Sequence, residues 1–167
     1  MTDGILADSK DDSDAWLQSG WIEHTQLLLD SYRRWTGREL IARTGSMRDQ
    51  AKSLYLAPFV VVSHGTQPDP ILNYGNQTAL KLWEMPVDDL LRTPSRMTAE
   101  PLQREERARL LERTSQLGFV DDYQGIRISS TGRRFRIDQA TVWNLVDPSG
   151  QHAGQAATFS EWTFMDE

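Results

Sequence analysis

The sequence predicts an antiparallel α+β domain, and three observations carry that prediction. Residues 57–63, Ala57-Pro58-Phe59-Val60-Val61-Val62-Ser63, form an apolar, β-branched run that reads as a buried strand. The last third of the chain holds three long strand-like segments separated by Ser130-Thr131-Gly132 and Asp147-Pro148-Ser149-Gly150, which is the pattern of a meander of hairpins. Between these two regions lie short helical segments with their own start and stop residues. A length of 167 residues suits one domain. The hydrophobic fraction of 38% is modest, and six tryptophans offset it by the large area each can bury.

Residues 1–13 read as a disordered acidic tail. The first 14 residues hold five Asp against one Lys, a local charge of −4 out of −6 for the chain. Residues 14–44 read as a helical arm. Leu17, Trp21, His24, Leu28, Ser31 and Trp35 recur at helical spacing on one stripe, interrupted near Thr36-Gly37. That stripe either packs on the chain's own domain or also pairs with a second subunit, in which case Leu17, Trp21, Leu28 and Trp35 form the interface. The remainder, 45–167, is the main domain.

After the first strand, Asp69-Pro70 forces a turn, and 71–74 reads as a short second strand. Gly75 permits a reversal, and Asn76 is a natural cap for a helix over 77–85 that Pro86 ends. A helical turn over 87–91 follows. Thr98 is the expected cap of a longer, charge-rich helix through Leu117, closed by Gly118, with Glu100–Arg104 and Glu105–Arg109 at i,i+4. Three strands over 119–130, 133–146 and 155–164 complete the chain. Strict alternation in the middle one puts Phe135, Ile137, Gln139, Thr141, Trp143 and Leu145 on one face. Arg134, Arg136, Asp138, Ala140, Val142, Asn144 and Val146 fall on the other. Neither face is purely polar, so both are expected to be covered, one by the inner helices and the other by the arm or a partner.

The absence of cysteine excludes disulfides, thiolate nucleophiles, Cys-based zinc sites and cysteine-linked chromophores. The first residues lack a signal-peptide pattern, and no apolar run approaches membrane-spanning length, so a cytosolic protein is expected. No surface favours phosphate, and direct nucleic-acid binding is not expected. His24, His64 and His152 show no metal-ligand spacing, so no metal is expected. Of the three, His64 at the end of a buried strand is the best placed for a haem. The residues specify no cofactor, and no catalytic motif is present.

Polar groups forced inward are the candidate ligand contacts. Arg134 and Arg136 lie two apart in a strand and, if that face lines a cavity, would clamp an anion. Arg96 has the same ambiguity between clamp and surface ion pair. His64, Asn73, Tyr74, Trp83, Gln139 and Trp143 are the remaining candidates, a few polar atoms among aromatic walls.

The element order, together with Ser63-His64-Gly65-Thr66-Gln67-Pro68-Asp69-Pro70-Ile71-Leu72-Asn73-Tyr74-Gly75-Asn76 and then Ala79-Leu80-Lys81-Leu82-Trp83-Glu84, resembles the PAS fold, where a strand leads through Asn into a capped helix. With Pro94-Ser95-Arg96-Met97-Thr98-Ala99-Glu100-Pro101 and Gly154-Gln155-Ala156-Ala157-Thr158-Phe159, the stretch from about Trp21 to Phe164 resembles the PAS-related MEKHLA domain family, although the literal string behind the family name is absent. The resemblance implies a PAS-like antiparallel sheet of about five strands, with small helices on one face and an N-terminal helical arm. It also implies a regulatory sensing module for a small organic ligand or a protein partner, in signalling or transcriptional control. Two alternatives stand beside it. One is a homodimerisation or interaction module without ligand. The other is an NTF2-like hydrolase or isomerase, with Asp138 or His64 as general base.

Overall fold

Strands β1 (Val60–His64), β2 (Leu72–Gly75), β3 (Phe119–Ile128), β4 (Arg134–Val146) and β5 (His152–Phe159) pair antiparallel in the order β2-β1-β5-β4-β3. A short β6 (Trp162–Phe164) pairs with β4. The protein is described here by a computed structural model covering residues 12–18 and 20–165. The tail expected at 1–13 lies outside the described residues as far as residue 11. Asp12 and Ser13 belong to a 3-10 turn, Asp12–Leu17.

Two helices cover the upper part of one sheet face. Helix α1 (Trp21–Thr36) ends where Gly37 enters the left-handed region at φ 74° and caps the Arg33 carbonyl. It is shorter than the arm expected over 14–44, because a left-handed residue cannot continue a right-handed helix. Helix α2 (Met47–Tyr55) was not expected from the sequence. Ser46 and Asp49 start it with a reciprocal capping box, and Ala51, Leu54 and Tyr55 are buried. Arg43 ties the intervening segment to both helices through Asp30, at 2.7 Å, and Gln50, at 3.2 Å.

The other face carries α3 (Gln77–Trp83), a 3-10 turn (Ser95–Thr98) and α5 (Pro101–Leu117), while α4 (Val87–Leu90) lies against β2 and buries Val87 and Leu90 together with residues of α1 and α2. Asn76 caps α3 as the sequence implies. Glu100, not Thr98, is the residue before α5; Thr98 lies in the 3-10 turn and bonds the Ser95 carbonyl at 2.8 Å. Of the expected helical pairs, Glu105–Arg109 forms at 3.4 Å, whereas Glu100 meets Arg134. The final strand is broken at Ser160-Glu161: β5 pairs with β1 and the upper half of β4, and β6 with its lower half.

Strict alternation fails in the middle of β4. Gly125 pairs with Ile137 and Tyr123 with Ala140, so three steps on β4 oppose two on β3. The extra residue at Asp138-Gln139 is a β-bulge, and one inserted residue exchanges the faces of everything beyond it. Phe135 and Ile137 therefore share their face with Ala140 and Val142, while Trp143 and Leu145 turn to the face covered by α1.

The two faces give two apolar clusters. One joins α1, α2 and β2 to Trp143 and Leu145; in it Trp21 sits 4.5 Å from Tyr74, ring centre to ring centre, and Tyr32 meets Trp143 edge-on at 5.0 Å. The other gathers Trp83, Leu110, Phe135, Ile137, Val142 and Phe159 beneath α3 and α5.

Candidate functional site

Between the sheet and α5 lies a cavity of about 70 Å³. Its walls include Val62, Leu110, Ile137, Val142 and Phe159, and its polar residues include His64 of β1, Trp83 of α3, Ser95 and Thr98 of the 3-10 turn, Arg107 of α5, Tyr123 and Arg127 of β3, and Gln155 of β5. A cavity of roughly 150 Å³ holds a benzene ring, so this one in its present form takes several waters or a molecule of few atoms.

The chain places these groups by simple periodicity. Arg107, Leu110 and Thr114 follow one another down the inner stripe of α5, and all three are buried. Tyr123, Gly125 and Arg127 share the inner face of β3 at period two. His64 follows Ser63 on β1, so their side chains point to opposite faces of the sheet. The C-terminal end of α5 is fixed by Asn144 and Gln155, whose amides donate to the Thr114 carbonyl at 3.1 Å and the Leu111 carbonyl at 3.0 Å.

His64 is 9% exposed, and its Nε2 has no hydrogen-bond partner among the described residues. Burial pushes its pKa down to about 4, so the imidazole is neutral at pH 7. The Trp83 indole N–H, also on the cavity, is likewise buried without a partner. Arg107, 8% exposed, donates to Ser95 Oγ. Burial first, and the neighbouring charge of Arg127 second, lower its pKa to about 10, which leaves it a cation at pH 7. Arg127, 7% exposed, lies over the Tyr123 ring at 5.4 Å and donates to the Ile126 carbonyl at 2.9 Å. The Tyr123 hydroxyl donates to Glu106 at 2.9 Å.

Of the sequence candidates, only His64 and Trp83 reach this cavity. Asn73 and Tyr74 face α1: Asn73 Oδ1 accepts from Ser63 at 2.6 Å, and Tyr74 lies under Trp21. The bulge turns Trp143 to that face as well, and it leaves Gln139 outside, bonded to the Asp121 carbonyl at 3.4 Å. Arg96 pairs with Asp69 at 3.1 Å on the surface. Arg134 pairs with Glu100 at 3.9 Å and Arg136 with Asp138 at 2.9 Å, so the clamp expected from their spacing does not form. The cavity cations are instead Arg107 and Arg127. A sequence signal for both existed: an arginine on the apolar stripe of a charged helix, and one two residues beyond a Tyr-x-Gly step in a strand.

Of the two readings of the arm's stripe, packing on the chain's own domain is the one these contacts follow. Trp21 and Leu28 are in its own core, and the Trp35 indole donates to the Asn144 carbonyl at 2.9 Å; Leu17 alone of the four is 40% exposed. Of the two candidates for a general base, His64 lines the cavity, whereas Asp138 lies outside it, bonded by Arg136 and Thr163. Ser63 Oγ, 2.8 Å from His24 Nε2, directs its proton to Asn73, which leaves the imidazole as donor rather than base. No group of three or more metal-ligating side chains occurs among the described residues. No described helix is long and apolar enough to cross a membrane.

Residues 22–164 match the MEKHLA domain. The chain belongs to the MEKHLA domain family. It is 28% identical over 100 residues to the homeobox-leucine zipper protein ATHB-9 of Arabidopsis thaliana, a match covering 60% of this chain and 12% of that protein. Among solved structures it resembles the PAS domain of a protein from Colwellia psychrerythraea, with a TM-score of 0.59 and 14% identity over 67% of this chain and 92% of the other. It also resembles a light-oxygen-voltage domain described with a flavin analogue, at a TM-score of 0.55 and 17% identity over 71% and 86% of the two chains. The LOV domain of the blue-light photoreceptor Aureochrome1 gives 0.52 and 18%, over 78% and 90%. The fold of this MEKHLA domain is thus PAS-like, and the NTF2-like alternative is displaced.

Proposed function

We propose that this MEKHLA domain is a regulatory sensing module whose small organic ligand occupies the cavity between the sheet and α5, with α1 carrying the response. The observation that supports this most is that two residues lining the cavity, His64 and Trp83, each carry a buried polar atom without a partner among the described residues, as Trp16, Tyr74 and Trp143 do elsewhere. Buried polar groups are nearly always satisfied, and two such atoms on the walls of one cavity fit a missing ligand or bound water. The route to α1 is one strand wide. His64 faces the cavity, while its neighbour Ser63 bonds His24 of α1 at 2.8 Å. A ligand that engages His64 shifts β1, and Ser63 passes that shift to α1. The relative named as a homeobox-leucine zipper protein supports a setting in transcriptional control.

Native mass spectrometry of the purified chain tests this reading, paired with a thermal-shift screen of small organic molecules. The expected result is an adduct that is lost on denaturation, or a saturable rise in Tm. A mass equal to the bare chain together with a flat screen would refute it.

A second reading, binding to a partner through the sheet, is favoured by a shallow groove on the outer face lined by Leu40, Phe59, Gln139, Thr141 and Thr158, which α1 leaves uncovered. Light scattering at high micromolar concentration tests the homodimer form of it: a mass of 19.1 kDa at every concentration removes that form.

A further inference from the structure

We infer that the ligand of this cavity is a small organic anion, a short-chain carboxylate held between Arg107 and Arg127. The inference rests on the cavity being a ligand site, and it names the ligand's chemistry.

Two arginine residues, each more than nine-tenths buried, line one small space. Among the described residues neither has a carboxylate within ion-pair distance. The acidic groups nearby are already engaged: Asp69, whose charge reaches Arg107, is bonded by Arg96, and Glu106 accepts from Tyr123. Their protein contacts are few and neutral. Arg107 has Ser95 Oγ, and Arg127 has the Ile126 carbonyl and both the ring and the hydroxyl of Tyr123.

A buried charge without a counter-charge is costly, and two like charges side by side are costlier. Proteins tolerate such an arrangement where a partner of opposite sign completes it. A planar guanidinium carries five donors in a fork that matches a carboxylate, and each arginine here has donors left over. Across from them, Val62, Leu110, Ile137, Val142 and Phe159 offer an apolar wall that suits a hydrocarbon portion. The volume of about 70 Å³ limits that portion to a short chain.

The experiment is a thermal-shift and calorimetry series on the full chain with acetate, propionate and butyrate. Propionamide serves as the neutral isostere, and sulfate and phosphate as inorganic anions, all at one ionic strength. At a hundredfold excess over Kd the best carboxylate is expected to raise Tm by roughly 5–10 °C, with propionamide inert. Arg127→Met keeps the stem over Tyr123 and removes a buried charge, so it is expected to fold at least as stably as the parent and to lose the carboxylate response. Arg107→Gln provides an independent second variant, and the carboxylate-against-amide comparison needs no variant at all. Equal shifts from propionamide and propionate would overturn the anion assignment while leaving the cavity a ligand site. Shifts from sulfate or phosphate matching the carboxylates would overturn the organic part. An undiminished carboxylate response in both variants would overturn the arginine clamp. No response to any small molecule would remove the ligand site itself.

Discussion

Asn76 joins three elements through one buried amide, and replacing it separates helix capping from that wider role. Its Oδ1 accepts from the backbone N–H groups of Val61 and Ala79, each at 3.1 Å. Its Nδ2 donates to the carbonyls of Leu54 at 3.1 Å and Phe59 at 2.8 Å. The side chain is fully buried, so no water replaces these partners. Asn76→Ala removes a helix cap, worth about 1 kcal/mol, and takes this partner from the buried Val61 N–H and Phe59 carbonyl at about 1–3 kcal/mol each, the Leu54 carbonyl keeping the Ala57 N–H, so the total loss is expected at roughly 3–7 kcal/mol. That is a large part of the 5–15 kcal/mol typical of a domain. The discriminating variant is Asn76→Asp. Aspartate is as good a cap as asparagine, so a mere cap would tolerate it. Here it would set a carboxylate oxygen against two carbonyl oxygens, and it is expected to be as unstable as the alanine variant. Urea unfolding followed by tryptophan fluorescence measures both. An Asn76→Asp protein within 1 kcal/mol of the parent would refute this account of the amide.

Gly154 stands at φ 133°, and a Cβ there would lie 2.2 Å from the His64 carbonyl oxygen of the neighbouring strand. Gly154→Ala is therefore expected to lose about 2–5 kcal/mol from strain and overpacking, and an unchanged denaturation midpoint would contradict the close approach of β5 to β1. Acidification should destabilise the protein through His64. The unfolded chain takes up the proton near pH 6.5 and the folded chain only near 4, so this stability is intact above about pH 6.5 and is lost as pH falls toward 4. Lowering the pH from 7.5 to 5 is expected to remove about 2 kcal/mol by this group, and His24, whose pKa burial also lowers to about 4, adds a similar loss; His64→Gln should roughly halve the slope, and an equal slope in that variant would assign it elsewhere. Deleting residues 1–44 strips Trp21, Leu28, Leu29 and Tyr32 from the core, at about 1.5–3 kcal/mol each, and is expected to abolish cooperative melting. A monomer with an unchanged Tm would show instead that α1 is an appendage.

Local signals were sufficient wherever one residue dictates the backbone. Asn76 as cap, Gly118 as helix stop and the hairpin turns were all legible, and with them the element order and the PAS-like sheet. Two features were hidden for identifiable reasons. The capping box of α2 was readable at Ser46 and Asp49, but the short helix behind it has too few apolar residues to stand out by period. The bulge at Asp138-Gln139 is set by pairing with β3 and β6, and nothing local to β4 announces it. That one inserted residue turns Trp143 to the α1 face and leaves Gln139 outside, while Arg134 and Arg136 pair with Glu100 and Asp138. The arm's spacing specifies a helix face, yet the surface that face meets is decided by the sheet, which no period within the arm specifies.

The strand order has a kinetic consequence. β1 lies between β2 and β5, and β5 begins almost ninety positions further along the chain. Loop closure over that distance precedes any reward from the pairing, so the sheet completes late and folding is governed by non-local contacts. As the chain emerges from the ribosome, Val60, Val61 and Val62 have β2 on one side only, and the other edge stays bare until residue 159 is available. A β-branched edge left open that long invites pairing with another chain. A chain that stops before β5 is thus a candidate for aggregation rather than a smaller working domain.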